Sequence, residues 1–184
     1  IAGPGFLNIK LSKIAIINNI NLILKNEKTY GSRKSNKTFN IEFVSANPTG
    51  PMHVGHCRGA IYGDVLANLL KFNGNKVIKE YYINDYGNQI KNFVESVFLR
   101  IRELKYSEKF PNKENLYPGL YIKDIAKKIL DNNKNKDFNK FYEIFEFLKE
   151  KSLIESMKLI KKDLNLLGIS HDNFFSATEL VKKD

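Results

Sequence analysis

The chain has 184 residues, a formal net charge of +10 and one cysteine, Cys57. It is long enough for one domain with a buried core, or for one domain and part of another, and no run approaches the roughly 20 apolar residues of a membrane-spanning helix. The single cysteine excludes an intramolecular disulfide and a cysteine-based metal cluster, and a reducing, cytoplasmic setting is the simplest interpretation.

The positive charge is compatible with a nucleic-acid partner, but the composition weakens that interpretation. Only four of the basic residues are arginines, and lysine, asparagine and isoleucine are all abundant, which indicates a general drift in composition. Arginine is the better residue for bidentate contacts with phosphates and bases. Charge alone therefore does not establish RNA binding.

Residues 1–30 are expected to form the end of an upstream domain and a linker. Alternating apolar residues over positions 6–11 predict a half-buried strand, and Ser12 is placed to cap a helix whose apolar residues recur four apart. Residues 26–37 are polar and turn-rich, which favours a domain boundary. The chain does not begin with Met, shows no secretory signal and ends without a terminating pattern, so we expect a fragment of a longer protein.

Residues 38–104 predict a strand, a helix, a second strand and a second helix. The first strand covers 39–44, the helix begins near His53 and ends near Phe72, and the second strand covers 77–83. Two strands joined by a helix within about 45 residues form a βαβ unit with parallel strands and a right-handed crossover. The first helix is expected to bury a stripe of apolar residues: Cys57, Ile61, Val65 and Leu69, widened by Leu66 and Leu70.

Residues 105–184 are expected to form a helical insertion and the continuation of the same domain. A helix begins near Gly119, residues 131–137 form a loop, and a long helical pattern is closed by Gly168. Residues 174–183 predict the start of a further element. The lysines of these helices could face a nucleic acid, but a solvated face is the plainer interpretation.

Residues 40–64 form the stretch most typical of a functional site, a strand followed by a turn-rich loop and a helix. His53 and His56, two of the three histidines in the chain, share one face at the start of that helix, with Gly55 between them. Free N–H groups in the first helical turn and the helix dipole favour an anion there, and two imidazoles can donate hydrogen bonds to it. The glycine leaves room for a flat ring against the backbone. These residues predict a site for the phosphates of a nucleotide.

Two other interpretations of the histidine pair remain open. Two histidines at this spacing can bind zinc, but His171 is distant in sequence and no glutamate neighbours the pair as in HExxH. The pair can also cap a helix without any chemistry. The preceding Pro-Thr-Gly-Pro turn and the following βαβ pattern favour the phosphate site.

The tetrapeptide at residues 53–56, HVGH, resembles the HIGH motif of class I aminoacyl-tRNA synthetases. The longer strings IEFVSANPTGPMHVGHCRGAIYGD, YYINDYGNQI and YPGLYIKDIAKKI look like the corresponding stretches of arginyl-tRNA synthetases. The opening IAGPGFLNIKL resembles the end of the tRNA-binding N-terminal domain of that family, so the resemblance runs through almost the whole chain. It implies an α/β, Rossmann-like class I synthetase nucleotide-binding fold, whose first half is residues 38–104, with a helical insertion.

The resemblance also implies an activity and a set of site residues. An arginine–tRNA ligase activates L-arginine with ATP to arginyl-adenylate and transfers the arginyl group to tRNA(Arg). Mg²⁺ would be bound through the ATP phosphates, with no metal ligand from the chain. The catalytic residues would be His53 and His56. ATP would be bound by these histidines and four neighbours: Pro48, Thr49, Gly50 and Gly55. L-Arginine would be bound by Ser45, Ala46, Asn47 and His56, with Asp85 and Gln89 at the same pocket.

Some parts that the family carries are not found in this sequence. These are a KMSKS-like segment, the tyrosine and aspartate that grip the guanidinium group, and the helical anticodon-binding domain. We therefore expect the chain alone to be inactive, and the full-length protein to be a cytoplasmic monomer. Two alternatives stay open: another HxGH-type nucleotidyltransferase with a small-molecule substrate, and a non-catalytic tRNA-binding fragment.

Overall fold

The computed structural model describes residues 3–181, so the predicted ends at residues 1–2 and 182–184 lie outside the described residues. Its helices and strands, in chain order, are α1 (Lys13–Asn26), β1 (Thr38–Glu42), α2 (Val54–Phe72), β2 (Lys76–Ile83), α3 (Asn88–Tyr106), α4 (Leu120–Asn132), α5 (Phe145–Leu166), β3 (Asn173–Ser176) and α6 (Ala177–Val181). Short 3₁₀ turns occupy Glu27–Thr29 and Tyr142–Ile144. None of the described helices is both long and apolar enough to cross a membrane.

The three strands form one parallel sheet in the order β1-β2-β3. The register of β1 and β2 runs from Thr38 beside Lys76 to Glu42 beside Glu80, and β3 pairs with the second half of β2. The parallel pairing of β1 and β2 across α2 confirms the predicted βαβ unit and the α/β fold class.

The last strand, β3, was predicted only as the start of a new element. It is four residues long, and Asp172, the residue just before it, forms two hydrogen bonds with β2. The N–H of Asp172 donates to the Lys79 carbonyl (2.8 Å), and the Asp172 carboxylate accepts from the Lys79 N–H (2.8 Å). Phe174 then stacks on Tyr81 with ring centroids 5.3 Å apart. The strand forms because β2 offers a pairing partner that lies far away in sequence.

The apolar stripe predicted for α2 is not its buried face. The large residues Ile61, Val65 and Leu69 are about half exposed. A Cβ at Gly63 would lie 2.2 Å from Phe43 Cγ, so the helix backbone packs close to the end of β1. The stripe prediction was wrong because periodicity marks the apolar positions but does not show which face approaches the sheet closely. The buried residues of α2 are all small: Ala60, Gly63 and Ala67.

Helices α3, α4 and α5 pack beside the sheet around a core of their own. Fully buried side chains from all three helices meet there, among them Phe93, Ile101, Ile122 and Leu148. A second core joins α5 to the strands through Phe43, Tyr81, Ile160 and Leu164. Because α5 contributes to both cores, it fixes the helical insertion against the sheet.

The N-terminal segment agrees only in part with its prediction. Ser12 caps α1 as predicted, because its hydroxyl accepts from the Ala15 N–H at 3.2 Å. The strand predicted over residues 6–11 is wrong, since no strand spans these positions and their side chains are exposed. The side chains of α1 are exposed as well. A half-buried strand needs a layer that covers one of its faces, and residues 6–11 have none among the described residues.

Candidate active site

The candidate site lies at the carboxyl ends of β1 and β2. These ends meet at one edge of the sheet because the two strands are parallel and adjacent. The loop between β1 and α2 begins there, and so does the turn between β2 and α3. In open parallel sheets this edge is where ligands bind. The residues predicted for both substrates lie on these two connections or at the start of the helices that follow them.

The loop after β1 starts with a strained backbone. Val44 and Ser45 have φ values of 69° and 41°, in the left-handed region that non-glycine residues rarely adopt and a β-branched residue least of all. Such conformations persist where surrounding contacts enforce them. Here the Ser45 hydroxyl donates to the Glu42 carboxylate (2.6 Å) and accepts from the Tyr82 N–H (3.0 Å). Ser45 therefore fixes the direction of the loop as it leaves the sheet.

The next two residues are also fixed by β2 and α3. The Ala46 carbonyl accepts from the hydroxyl of Tyr81 at 2.8 Å, and burial raises the pKa of Tyr81, which keeps this donor protonated. The Asn47 side-chain amide donates to the Gln89 side chain at 2.6 Å. The structure thus brings together Ser45, Ala46, Asn47 and Gln89, which the family resemblance assigned to one substrate.

The residues that lead into α2 contact the helical insertion. Pro48 is buried, and the Thr49 carbonyl accepts from the Tyr121 hydroxyl at 3.0 Å. The Met52 N–H donates to the Asp163 carboxylate, also at 3.0 Å. Sequence reasoning missed Tyr81, Tyr121 and Asp163, because each contact joins residues that are 35, 72 or 111 positions apart and no local pattern signals it.

The two histidines stand together at the N-terminus of α2. His53 is the N-cap residue, and its ring stacks on that of His56 with centroids 3.6 Å apart. The Nδ1 atom of His53 accepts from the N–H groups of Gly55 (3.1 Å) and His56 (3.4 Å), while Nδ1 of His56 accepts from the N–H of His53 (3.4 Å). A neutral imidazole whose Nδ1 is an acceptor carries its proton on Nε2. Each ring therefore has one Nε2–H group with which to donate outward.

For His56, the surroundings favour this neutral, donating form. Burial, and then the neighbouring His53, lower the pKa of His56 below its ordinary value of 6.5. The predicted free N–H groups of the first helical turn are not all free, because two of them are bonded to the His53 ring. An anion at this terminus would still be favoured by the helix dipole, and the two Nε2–H groups remain as side-chain donors.

Asp85 is bonded through its carboxylate to the residues where β3 ends and α6 begins. Its carboxylate accepts from the Ser176 hydroxyl (2.5 Å) and from the Thr178 N–H (2.9 Å). Burial alone would raise the pKa of Asp85, but these hydrogen bonds lower it overall. The carboxylate is thus ionised at neutral pH and is bonded across the junction of β3 and α6.

His171, the third histidine, is separate from the pair. Its ring packs against Phe43 and Tyr81, with centroids 4.3 Å and 5.3 Å away. No group of three or more histidine, cysteine, aspartate or glutamate side chains within residues 3–181 is arranged to hold a metal ion.

Comparison with known proteins identifies the family. The family described as "tRNA synthetases class I (R), catalytic domain" matches residues 19–134, which is more than half of the chain. The chain belongs to the class I arginyl-tRNA synthetase family. The recognition made from the HVGH tetrapeptide and its flanking strings is thereby confirmed.

Curated arginine–tRNA ligases resemble the chain over nearly all of its length. The protein of Pelagibacter ubique (strain HTCC1062) is 54% identical over 183 residues, which cover 98% of this chain and 32% of that protein. The protein of Ehrlichia ruminantium (strain Welgevonden) is 49% identical over 183 residues, covering 97% of this chain and 31% of that protein. The chain thus spans about a third of the length of these arginine–tRNA ligases.

Solved arginyl-tRNA synthetase structures share the fold. A structure from Campylobacter jejuni superimposes with a TM-score of 0.77 at 36% identity, covering 90% of this chain and 37% of that one. The Thermus thermophilus arginyl-tRNA synthetase, at 19% identity and a TM-score of 0.51, shows the fold alone. These neighbours confirm the class I synthetase fold that was inferred from the sequence.

Proposed function

We propose that the protein carrying this chain is an arginine–tRNA ligase. It activates L-arginine with ATP to give arginyl-adenylate and pyrophosphate, and it then transfers the arginyl group to tRNA(Arg). The observation that carries this proposal is the stacked pair His53 and His56 at the N-terminus of α2, beside the fixed loop that holds Ser45 and Asn47. Membership of the arginyl-tRNA synthetase family supports the choice of substrates.

The nucleotide side of the site is formed by the helix terminus and the loop before it. The Nε2–H groups of His53 and His56 donate to the ATP phosphates, and they stabilise the charge that grows at the α-phosphate during attack. Gly55 lies under the adenine ring, where a side chain would obstruct it. Pro48, Thr49 and Gly50 complete this side. Mg²⁺ would be held through the ATP phosphates, in keeping with its preference for oxygen ligands.

The amino-acid side of the site is formed by the loop after β1 and the start of α3. Ser45, Ala46 and Asn47 orient the α-amino group and carboxylate of arginine, and Gln89 supports Asn47. The Ser45 hydroxyl retains one acceptor lone pair after its two hydrogen bonds, which suits an ammonium group. Asp85, in the turn after β2, contributes negative charge to the same end of the sheet while its carboxylate accepts from Ser176 and Thr178.

The reaction needs no covalent enzyme intermediate. The arginine carboxylate attacks the α-phosphate in line and pyrophosphate leaves. A hydroxyl of the ribose at the 3′ end of tRNA(Arg) then attacks the carbonyl of arginyl-adenylate, and AMP leaves. Holding the carboxylate and the phosphate in reach of each other supplies much of the acceleration. We further propose that the full-length enzyme is a cytoplasmic monomer.

Replacing His56 by Ala in the full-length protein tests this assignment. Loss of a transition-state hydrogen-bond donor lowers the rate by about 10²-fold or more. The measurement is arginine-dependent exchange between ATP and pyrophosphate, with tRNA present. Val54→Ala is the matched control, because Val54 is an exposed residue of the same helical turn, and this variant should keep the parental rate. A His56→Ala rate within about threefold of the parent would exclude His56 from the chemistry.

A further inference from the structure

Helices α4 and α5 touch the loop that leads into the histidine pair at two points. The Tyr121 hydroxyl on α4 donates to the Thr49 carbonyl at 3.0 Å, and the Asp163 carboxylate on α5 accepts from the Met52 N–H at 3.0 Å. Met52 immediately precedes His53, so the second contact ends one residue before the N-cap. The sequence indicated only a helical insertion packed beside the nucleotide fold, whereas these contacts join that insertion to the site itself.

The Tyr121 ring fits between two glycines, which allows its hydroxyl to reach the loop. A Cβ at Gly50 would lie 2.9 Å from the Tyr121 ring, and a Cβ at Gly119 would lie 2.4 Å from it. Either distance is shorter than real contacts of a Cβ atom, so the ring occupies space that other residues at these positions would fill. Burial, and then the neighbouring Tyr117, raise the pKa of Tyr121, so the hydroxyl stays a donor at neutral pH.

Both anchoring residues stand on rigid supports. Tyr121 is followed by Ile122, which is fully buried in the core of the helical insertion. Asp163 is followed by Leu164, which is buried in the core shared by α5 and the sheet. Side chains that are placed by packed helices hold their partners more accurately than side chains on loops do.

We propose that Tyr121 and Asp163 are positioning residues for the adenylation step. They fix residues 49–52 and thereby set where His53 caps α2 and where both Nε2–H groups point. This inference rests on the proposed function and extends it to the helical insertion. Displacing a catalytic group by as little as about 1 Å can lower a rate by 10²-fold, so loosening one anchor affects the chemistry without unfolding the protein.

The test uses matched variants of the full-length protein. Tyr121→Phe keeps the ring over Gly50 and removes only the hydroxyl. Asp163→Ala removes the acceptor for the Met52 N–H, whereas Asp163→Asn keeps an acceptor oxygen. Tyr142→Phe, which removes a hydroxyl from an exposed ring, is the control. Each variant is measured for ATP–pyrophosphate exchange, for the KM values of ATP and tRNA, and for Tm.

We expect Tyr121→Phe and Asp163→Ala each to lower kcat of exchange by about tenfold, the effect of losing one well-placed hydrogen bond. KM for tRNA and the Tm of Tyr121→Phe should stay at the parental values, Asp163→Asn should regain most of the activity, and Tyr142→Phe should match the parent. Unchanged exchange in Tyr121→Phe and Asp163→Ala, or losses that follow Tm and are not rescued by Asn, would overturn the positioning role. A parent protein without arginine-dependent exchange would instead overturn the proposed function on which the inference rests.

Discussion

At the residue scale, the histidine pair both caps α2 and leaves an Nε2–H group on each ring as a hydrogen-bond donor. His53 and His56 bond each other's backbone N–H groups through Nδ1, which holds the two rings stacked. The same bonds assign the proton of each neutral ring to Nε2. The same two histidines can therefore cap the helix through Nδ1 and donate to a phosphate through Nε2, although the sequence offered these roles as alternatives.

Replacing Gly55 by Val should lower the affinity for ATP by roughly tenfold or more. A Cβ at Gly55 would lie 3.0 Å from Cε1 of His53, so a branched side chain displaces that ring, and it would also obstruct an adenine ring bound over Gly55 as proposed. Equilibrium ATP binding to the full-length protein measures the effect. Gly59→Val is the control, because a Cβ at Gly59 of the same helix meets nothing within 4 Å. Equal ATP affinity of the two variants would contradict the role of Gly55.

The buried ring of His171 predicts a pH dependence of stability. Burial lowers the pKa of His171 below its ordinary value of 6.5, and the charge of Lys79 adds to this shift. The Phe43 carbonyl and the carboxylates of Asp64 and Asp172 oppose it, but the pKa is lowered overall. The unfolded chain then binds more protons than the folded one just below pH 6.5. The stabilising contribution of His171 to the free energy of unfolding is therefore complete above pH 6.5, and it is lost as the pH falls toward the pKa of His171 in the folded protein.

Urea unfolding at pH values from about 5 to 7.5 measures this dependence. The parent should lose stability toward the acidic end, and His171→Phe should lose less, since a phenyl ring packs among the same aromatic residues without titrating. Its pH dependence should not vanish, because the lowered pKa of His56 acts in the same direction. Identical pH profiles for parent and variant would show that His171 does not contribute.

At the scale of elements, α2 packs on the sheet through its small residues. The apolar period of the helix was visible in the sequence, yet the face that it marked is half exposed. The contact with the sheet is decided instead by Gly63, whose lack of a side chain lets the helix backbone approach Phe43. Such an approach depends on what lies opposite the helix, which the helix sequence does not show.

Replacing Gly63 by Ala should therefore destabilise the fold by about 1–3 kcal/mol, the usual cost of overpacking a core. The added Cβ would lie 2.2 Å from Phe43 Cγ. Gly59→Ala offers a matched control on the same helix, and it should stabilise the protein by up to about 1 kcal/mol through helix propensity. Urea midpoints of both variants measure the effect, and a midpoint for Gly63→Ala at or above that of the parent would contradict it.

At the scale of the whole molecule, the helical insertion and the sheet act as one unit. Helix α5 contributes Leu148 to the core of the helices and Ile160 to the core beneath the sheet. The anchors at Tyr121 and Asp163 extend this connection to the site. A change that loosens the packing of α5 would consequently also displace the histidine pair, because Asp163 on α5 holds the loop that precedes the pair.

The 184-residue chain alone should show no arginine-dependent ATP–pyrophosphate exchange, even with tRNA present. It spans about a third of the length of the arginine–tRNA ligases it resembles, and it contains no KMSKS-like segment. The full-length protein in the same assay is the positive control. Clear turnover by the 184-residue chain would contradict the prediction.

The sequence by itself determined the family, the βαβ unit and the helices that follow it. These depend on features that lie within a few residues of one another: the period of apolar side chains, the capping of α1 by Ser12, and the HVGH tetrapeptide with its flanks. Local features of this kind are encoded where they act, so they can be read without knowing what packs against them.

Only the tertiary structure decided which face of α2 is buried, that β3 pairs with β2, and which side chains hold the site in place. Tyr81, Tyr121 and Asp163 reach the loop after β1 from elements that lie 35 to 111 positions away along the chain. The sequence around a tyrosine or an aspartate does not indicate which distant residue its side chain will contact. The geometry of the site depends on such contacts, because burial and close packing are properties of the assembled layers and not of any one segment.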